Sequence, residues 1–180
     1  LAIIVYYGSV LLLIFSKNKI IYLSYFFTVD NLLMLFTGVI ALITTIKLMY
    51  PDRALSRSEK WLPFFPFVSL FIYFVFLTFS YDLDVFISCL LLNDSMCFVK
   101  LLYLSFIPVV AGLFMLTKGF VIQSKLAGIH LVLAVASFGY MILRIFETPL
   151  NPLQMFIWHY LPVVLLLLIG PLVGKYLNRR

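Results

Sequence analysis

Two histidines, two cysteines and a small set of charged side chains are the only residues of this chain whose chemistry reaches beyond packing. His130 and His159 are candidates for a metal or a proton site. At 1.5 Å of rise per residue His130 sits about 9 Å above the start of its helix at Ser124, whereas His159 lies near the opposite end of the next helix, so roughly 14 Å of depth separates them. No cysteine or carboxylate is spaced to join either ring, and a zinc site needs three or four ligands at about 2 Å. No metal and no cofactor are expected. His130 then reads as an intramembrane polar residue bonded to a neighbouring helix, and it stays a functional candidate as the alternative because ionisable groups at that depth are costly. His159, between Trp158 and Tyr160, reads as part of an interfacial aromatic belt.

Cys89 and Cys97 flank one loop. They form a disulfide if that side is oxidising, or Cys97 packs as a small apolar residue at a helix start. Arg144 and Glu147, three residues apart, can pair on one helical face. Asp30, Asp82, Asp84 and Asp94 fall at boundaries or in a loop, so no two carboxylates share a span. There is no G-x-S-x-G, no H-E-x-x-H and no glycine-rich phosphate loop, and no catalytic residue is assigned.

The elements that must hold these residues follow from composition. The chain of 180 residues is 64 % hydrophobic and 11 % charged, with a mean hydropathy of +1.15. Too little polar surface remains for a water-soluble domain. A helix needs about 20 apolar residues to cross hydrocarbon, and cutting the chain at charge, Pro and Asn predicts six spans: about 1–15, 31–49, 62–80, 97–117, 124–143 and 153–174. Residues 20–28 read as an interfacial piece. The first span is too short to cross unaided, so a cytoplasmic N-terminal segment is expected ahead of Leu1. The expected fold class is all-α, a single polytopic six-helix transmembrane domain.

Orientation follows from the 13 Lys and Arg. Nine of them, Lys47, Arg53, Arg57, Lys60, Lys118, Lys125, Lys175, Arg179 and Arg180, share one side of this threading, and basic residues collect on the cytoplasmic side. Both termini are therefore expected in the cytoplasm. The formal charge of +6 is a topology signal, because no polar loop is long enough to enter a groove of DNA. No direct contact with nucleic acid is expected. Gly170 and Gly174 form a G-x-x-x-G, and Ser124 with Gly128 a small-xxx-small pair. Such pairs let helices approach within the bundle or between copies of it, so homo-oligomerisation stays open.

The second half carries a resemblance. In order it reads Cys97, Leu116-Thr-Lys-Gly119, Ser124-Lys-Leu-Ala-Gly-Ile-His130, Glu147-Thr-Pro-Leu-Asn-Pro-Leu-Gln-Met-Phe-Ile-Trp158-His-Tyr160 and Ile169-Gly-Pro-Leu-Val-Gly174-Lys175. This order resembles the NrsF family of six-helix bacterial inner-membrane anti-sigma factors, and Pro51 and Arg53 after the second span fit the same pattern. The resemblance implies a negative regulator that holds an extracytoplasmic-function sigma factor at the membrane through an N-terminal cytoplasmic segment and releases it on an envelope signal. It also implies signal sensing by two outward-side cysteines. One matches Cys97, whereas the second falls near Phe146 or Glu147, leaving Cys89, His159 and Glu147 as the other candidates. A six-helix substrate-binding or transport subunit, with a pocket of Tyr140, Trp158 and His159, is the alternative reading.

Overall fold

The structure is a computed structural model. It describes residues 5–9, 28–50, 55–81, 84, 87–88, 95–118, 121, 123–146 and 152–177. All regular structure among them is helical: α1 (Val29–Leu48), α2 (Arg57–Trp61), α3 (Phe64–Thr78), α4 (Ser95–Thr117), α5 (Ser124–Phe146), α6 (Pro152–Met155), a π-helical turn (Phe156–Tyr160) and α7 (Leu161–Leu177). Residues 5–9 are also helical.

Four stretches are long and apolar enough to cross a membrane: Val29–Leu48, Val99–Thr117, Ser124–Ile145 and Leu153–Lys175. The last runs through α6, the π turn and α7. Helix α3 is equally apolar but has 15 residues, about 22 Å of rise against about 30 Å of hydrocarbon. Most of the first expected span and the interfacial piece lie outside the described residues.

Local sequence sets the ends of these helices. Asp30 in the first turn of α1 and Lys47 in its last complement the helix dipole. Inside α1 the hydroxyls of Thr37, Thr44 and Thr45 each donate to the carbonyl four residues back at 2.8 Å, which satisfies them in an apolar helix. Helix α2 opens on a capping box between Ser56 and Glu59. Pro63 and Pro66 start α3 where the first-turn N–H groups have no helical partner anyway. Pro108 inside α4 cannot donate to Leu104. The Tyr7 hydroxyl supplies a weak replacement at 3.4 Å while making its main bond, 2.8 Å, to the Val135 carbonyl.

Helix α5 is the hub. Its sequence is rich in Ala, Gly and Ser, and it is buried from Leu131 to Val135 without a break. Gly128 meets the backbone of α7 at Gly170 and Gly174, and a methyl added there would come within 2.5 Å of the Gly174 nitrogen. Gly38 of α1 lies against Ser137 and Phe138, and Gly139 admits Leu101 of α4. These contacts make α1, α4 and α7 antiparallel to α5. Helix α3 runs parallel to it, with Phe64 beside His130 and Phe67 beside Tyr160. The outward faces remain apolar, with Phe65, Phe76, Phe79, Tyr103 and Leu168 all exposed.

Candidate functional site

A carboxylate at the start of α1 meets a guanidinium at the end of α5 because the two helices are antiparallel. Arg144 Nε lies 3.4 Å from Asp30 Oδ2, with side chains only 8 % and 13 % exposed. Tyr140 is four residues before Arg144, hence on the same helical face, and its hydroxyl donates to the same Asp30 oxygen at 3.0 Å. The Tyr140 phenol is fully buried. His159, from the π turn, sets its ring edge-on to Tyr140 at 6.1 Å between centroids. Three elements thus converge on one polar cluster at one end of the bundle.

Its chemistry is that of a tie. The carboxylate and guanidinium neutralise each other, and the phenol fills a further acceptor position on Asp30. Desolvating two charges offsets much of their attraction, so a buried pair adds little net stability but penalises any arrangement that separates the partners. Among the described residues no group of three His, Cys, Asp or Glu is placed to hold a metal ion.

The sequence-derived candidates distribute as follows. His159 is expected in an interfacial aromatic belt. The structure turns it inward, 1 % exposed, on the face it shares with Met155 and Val163, four residues to either side and buried as well. Tyr160 is buried with it and donates to the Phe67 carbonyl at 2.8 Å. Trp158 keeps an intermediate exposure. The transport reading expected Tyr140, Trp158 and His159 to line a pocket, but Tyr140 and His159 are both buried in the bundle and in ring contact.

His130 is fully buried some ten residues from Tyr140 along α5, and so about 15 Å lower in the bundle. It packs against Phe64 at 5.4 Å. Its ring nitrogens approach the Lys60 backbone without closing a hydrogen bond of ordinary geometry. The two histidines therefore belong to different sites. Cys97 lies in the first turn of α4. Leu101, one turn later, meets Gly139, so the Cys97 backbone lies at the end of the bundle that carries Asp30 and Arg144. Cys89 and Glu147 lie outside the described residues, and so does the expected Arg144–Glu147 pair.

Ser124, Gly128, Gly170 and Gly174 form one seam. A methyl on Gly174 would stand 2.7 Å from the Lys125 Cα and one on Gly170 2.8 Å from the Ile129 Cα. At this end of the bundle the described basic residues also gather: Lys47, Arg57, Lys60, Lys118, Lys125 and Lys175 all sit at helix ends there. Lys47 is paired with Glu59 at 2.8 Å. That hydrogen bond, with those from the Ser56 backbone and hydroxyl, holds the Glu59 carboxyl down at about 2.

Sequence reasoning missed the part played by Asp30, which it had read only as a break between segments. One signal pointed to it: Asp30 and Arg144 are opposite charges at ends of different spans, on the same side of the threading.

No curated protein and no solved structure matches the chain. A family model does, over residues 20–179, and its description is negative regulator of sigma F. With nearly all of the sequence matched, from the segment before α1 to the end of α7, this chain belongs to the NrsF family of negative regulators of a sigma factor.

Proposed function

We propose that the protein is a multi-pass inner-membrane anti-sigma factor. It sequesters an extracytoplasmic-function sigma factor at the cytoplasmic face and frees it when the envelope is perturbed. The observation that carries this reading is the family match over residues 20–179. Four helices of spanning length and an apolar exterior support the membrane location, and the full six-span topology is part of the proposal. The gathering of basic residues at one end supports placing that end in the cytoplasm.

In this reading the sigma factor is bound by a cytoplasmic N-terminal segment, and the signal acts at the opposite end. That end carries the first turn of α4 with Cys97 and the Asp30–Arg144–Tyr140 cluster with His159. Breaking the tie would free the start of α1 from the end of α5, and α1 is the helix that leads to the basic α1–α2 connection. No reaction is catalysed. Transcription from a promoter dependent on the cognate sigma factor tests the regulatory assignment. Deleting the gene is expected to raise that transcription and a plasmid copy to lower it again; a deletion without effect contradicts the assignment.

A further inference from the structure

Helices α4 and α7 both rest on α5 and touch each other and the π turn over only part of their length. The space between them is a groove of about 710 Å³, walled by Phe106 and Val110 of α4 and by Ile169 and Val173 of α7, with Val132 and Ala136 of α5 as its floor. Lining residues on α4 run from Val99 to Leu113, which is about 21 Å along the helix axis. The groove opens on the outer surface, where Tyr103, Phe106 and Val110 are exposed along it. It is long enough for an acyl chain, which reaches half the hydrocarbon thickness, about 15 Å.

One end of the groove is basic. Lys175 follows Val173 by two residues, Lys118 follows Leu113 by five, and Lys125 packs its backbone against Gly174. All three side chains are exposed. Lys118 holds its ammonium 4.9 Å over the Phe114 ring. Among the described residues no ion pair engages any of the three, since Glu59 is taken by Lys47 and Asp30 by Arg144. An apolar trough long enough for an acyl chain, ending beside three ammonium groups with no ion-pair partner among the described residues, matches one ligand chemistry, an apolar chain joined to an anionic head.

We propose that the α4–α7 groove binds an anionic phospholipid, with one acyl chain along Phe106, Val110 and Ile169 and the phosphate held among Lys118, Lys125 and Lys175. Basic pockets between spanning helices on the cytoplasmic side select anionic head groups by this charge pattern. The inference rests on the membrane-spanning reading. The lysines come from the ends of α4, α5 and α7, so lipid held there also braces α4 and α7 against α5.

The test is native mass spectrometry of the delipidated full chain in detergent, titrated with phosphatidylglycerol or with phosphatidylcholine of the same acyl chains. One phosphatidylglycerol per chain should be retained, about tenfold more tightly than phosphatidylcholine. The triple variant Lys118→Gln, Lys125→Gln, Lys175→Gln should lose that preference at an unchanged melting temperature. Val110→Trp, on the exposed wall of the groove, should reduce retention of both lipids. Equal retention of the two lipids, a preference that survives the triple variant, or a dimer dissolved by Val110→Trp would overturn the assignment. Resistance of the membrane-bound chain to carbonate extraction tests the membrane reading separately.

Discussion

Arg144 and Asp30 are 114 residues apart in sequence and 3.4 Å apart in space, which fixes the first turn of α1 to the last turn of α5. Removing the charge of Asp30 deprives the buried Arg144 guanidinium of this carboxylate. Asp30→Asn is therefore expected to destabilise the fold by about 3 kcal/mol, within the range for breaking buried ion pairs. Adding Arg144→Met to it should recover a large part of that loss. Chemical unfolding in detergent micelles measures both, and a loss under about 1 kcal/mol for the single variant would show that the pair is solvated and holds nothing.

The glycine seam gives a contrast within one residue type. A methyl on Gly174 stands 2.7 Å from the Lys125 Cα, backbone that cannot step aside, whereas one on Gly8 meets nothing within 4 Å. Gly174→Ala should cost about 1–3 kcal/mol through overpacking. Gly8→Ala should cost nothing and may be compared directly by melting temperature. Equal melting temperatures would mean that α5 and α7 are not in backbone contact.

These two relationships mark how far the sequence could be read. The helices stand close to the boundaries expected from hydropathy: 31–49 against Val29–Leu48, and 124–143 against Ser124–Phe146. Hydropathy registers such helices because a helix satisfies its own backbone in an apolar run, so length and polarity mark it out. The G-x-x-x-G was visible as a close-packing signal, but its partner Gly128 is settled only by the antiparallel pairing of α5 and α7. The Asp30–Arg144 tie depends on which spans are neighbours, and no local pattern carries that. The inward turn of His159 was hidden for another reason. Its inward direction follows the packed face of this helix, since Met155 and Val163, four residues to either side, are buried with it.

The pH response of the basic end can be read at one carboxyl. Glu59 is held down from its ordinary 4.5 to about 2, first by the Lys47 hydrogen bond and then by Ser56. A depressed folded value means that the contribution of Glu59 is complete above about 4.5 and is lost as the pH falls towards about 2. The chain has only two glutamates, Glu59 and Glu147, so carboxyl-labelled glutamate yields two signals. One is expected to titrate near 2, and in Lys47→Gln to move up towards 4.5. A Glu59 signal that titrates at its ordinary value in the unmodified chain would contradict the pairing.

Any disulfide in this protein is expected to join Cys89 and Cys97 of the same chain, because these are its only cysteines and both border one loop of the proposed topology. Alkylation followed by intact-mass measurement, with and without reductant, counts the free thiols. A reductant-sensitive dimer under the same conditions would place the bond between chains and contradict the expectation.

Where the cognate sigma factor resides in the cell decides whether the protein holds it at the membrane as proposed. Cells expressing the cognate sigma factor with or without the full-length protein are fractionated, and the sigma factor is quantified in washed membranes and in the soluble fraction. The account expects it in the membrane fraction only when the protein is present, and in the soluble fraction after envelope stress. A sigma factor that remains soluble in unstressed cells containing the protein would contradict the account.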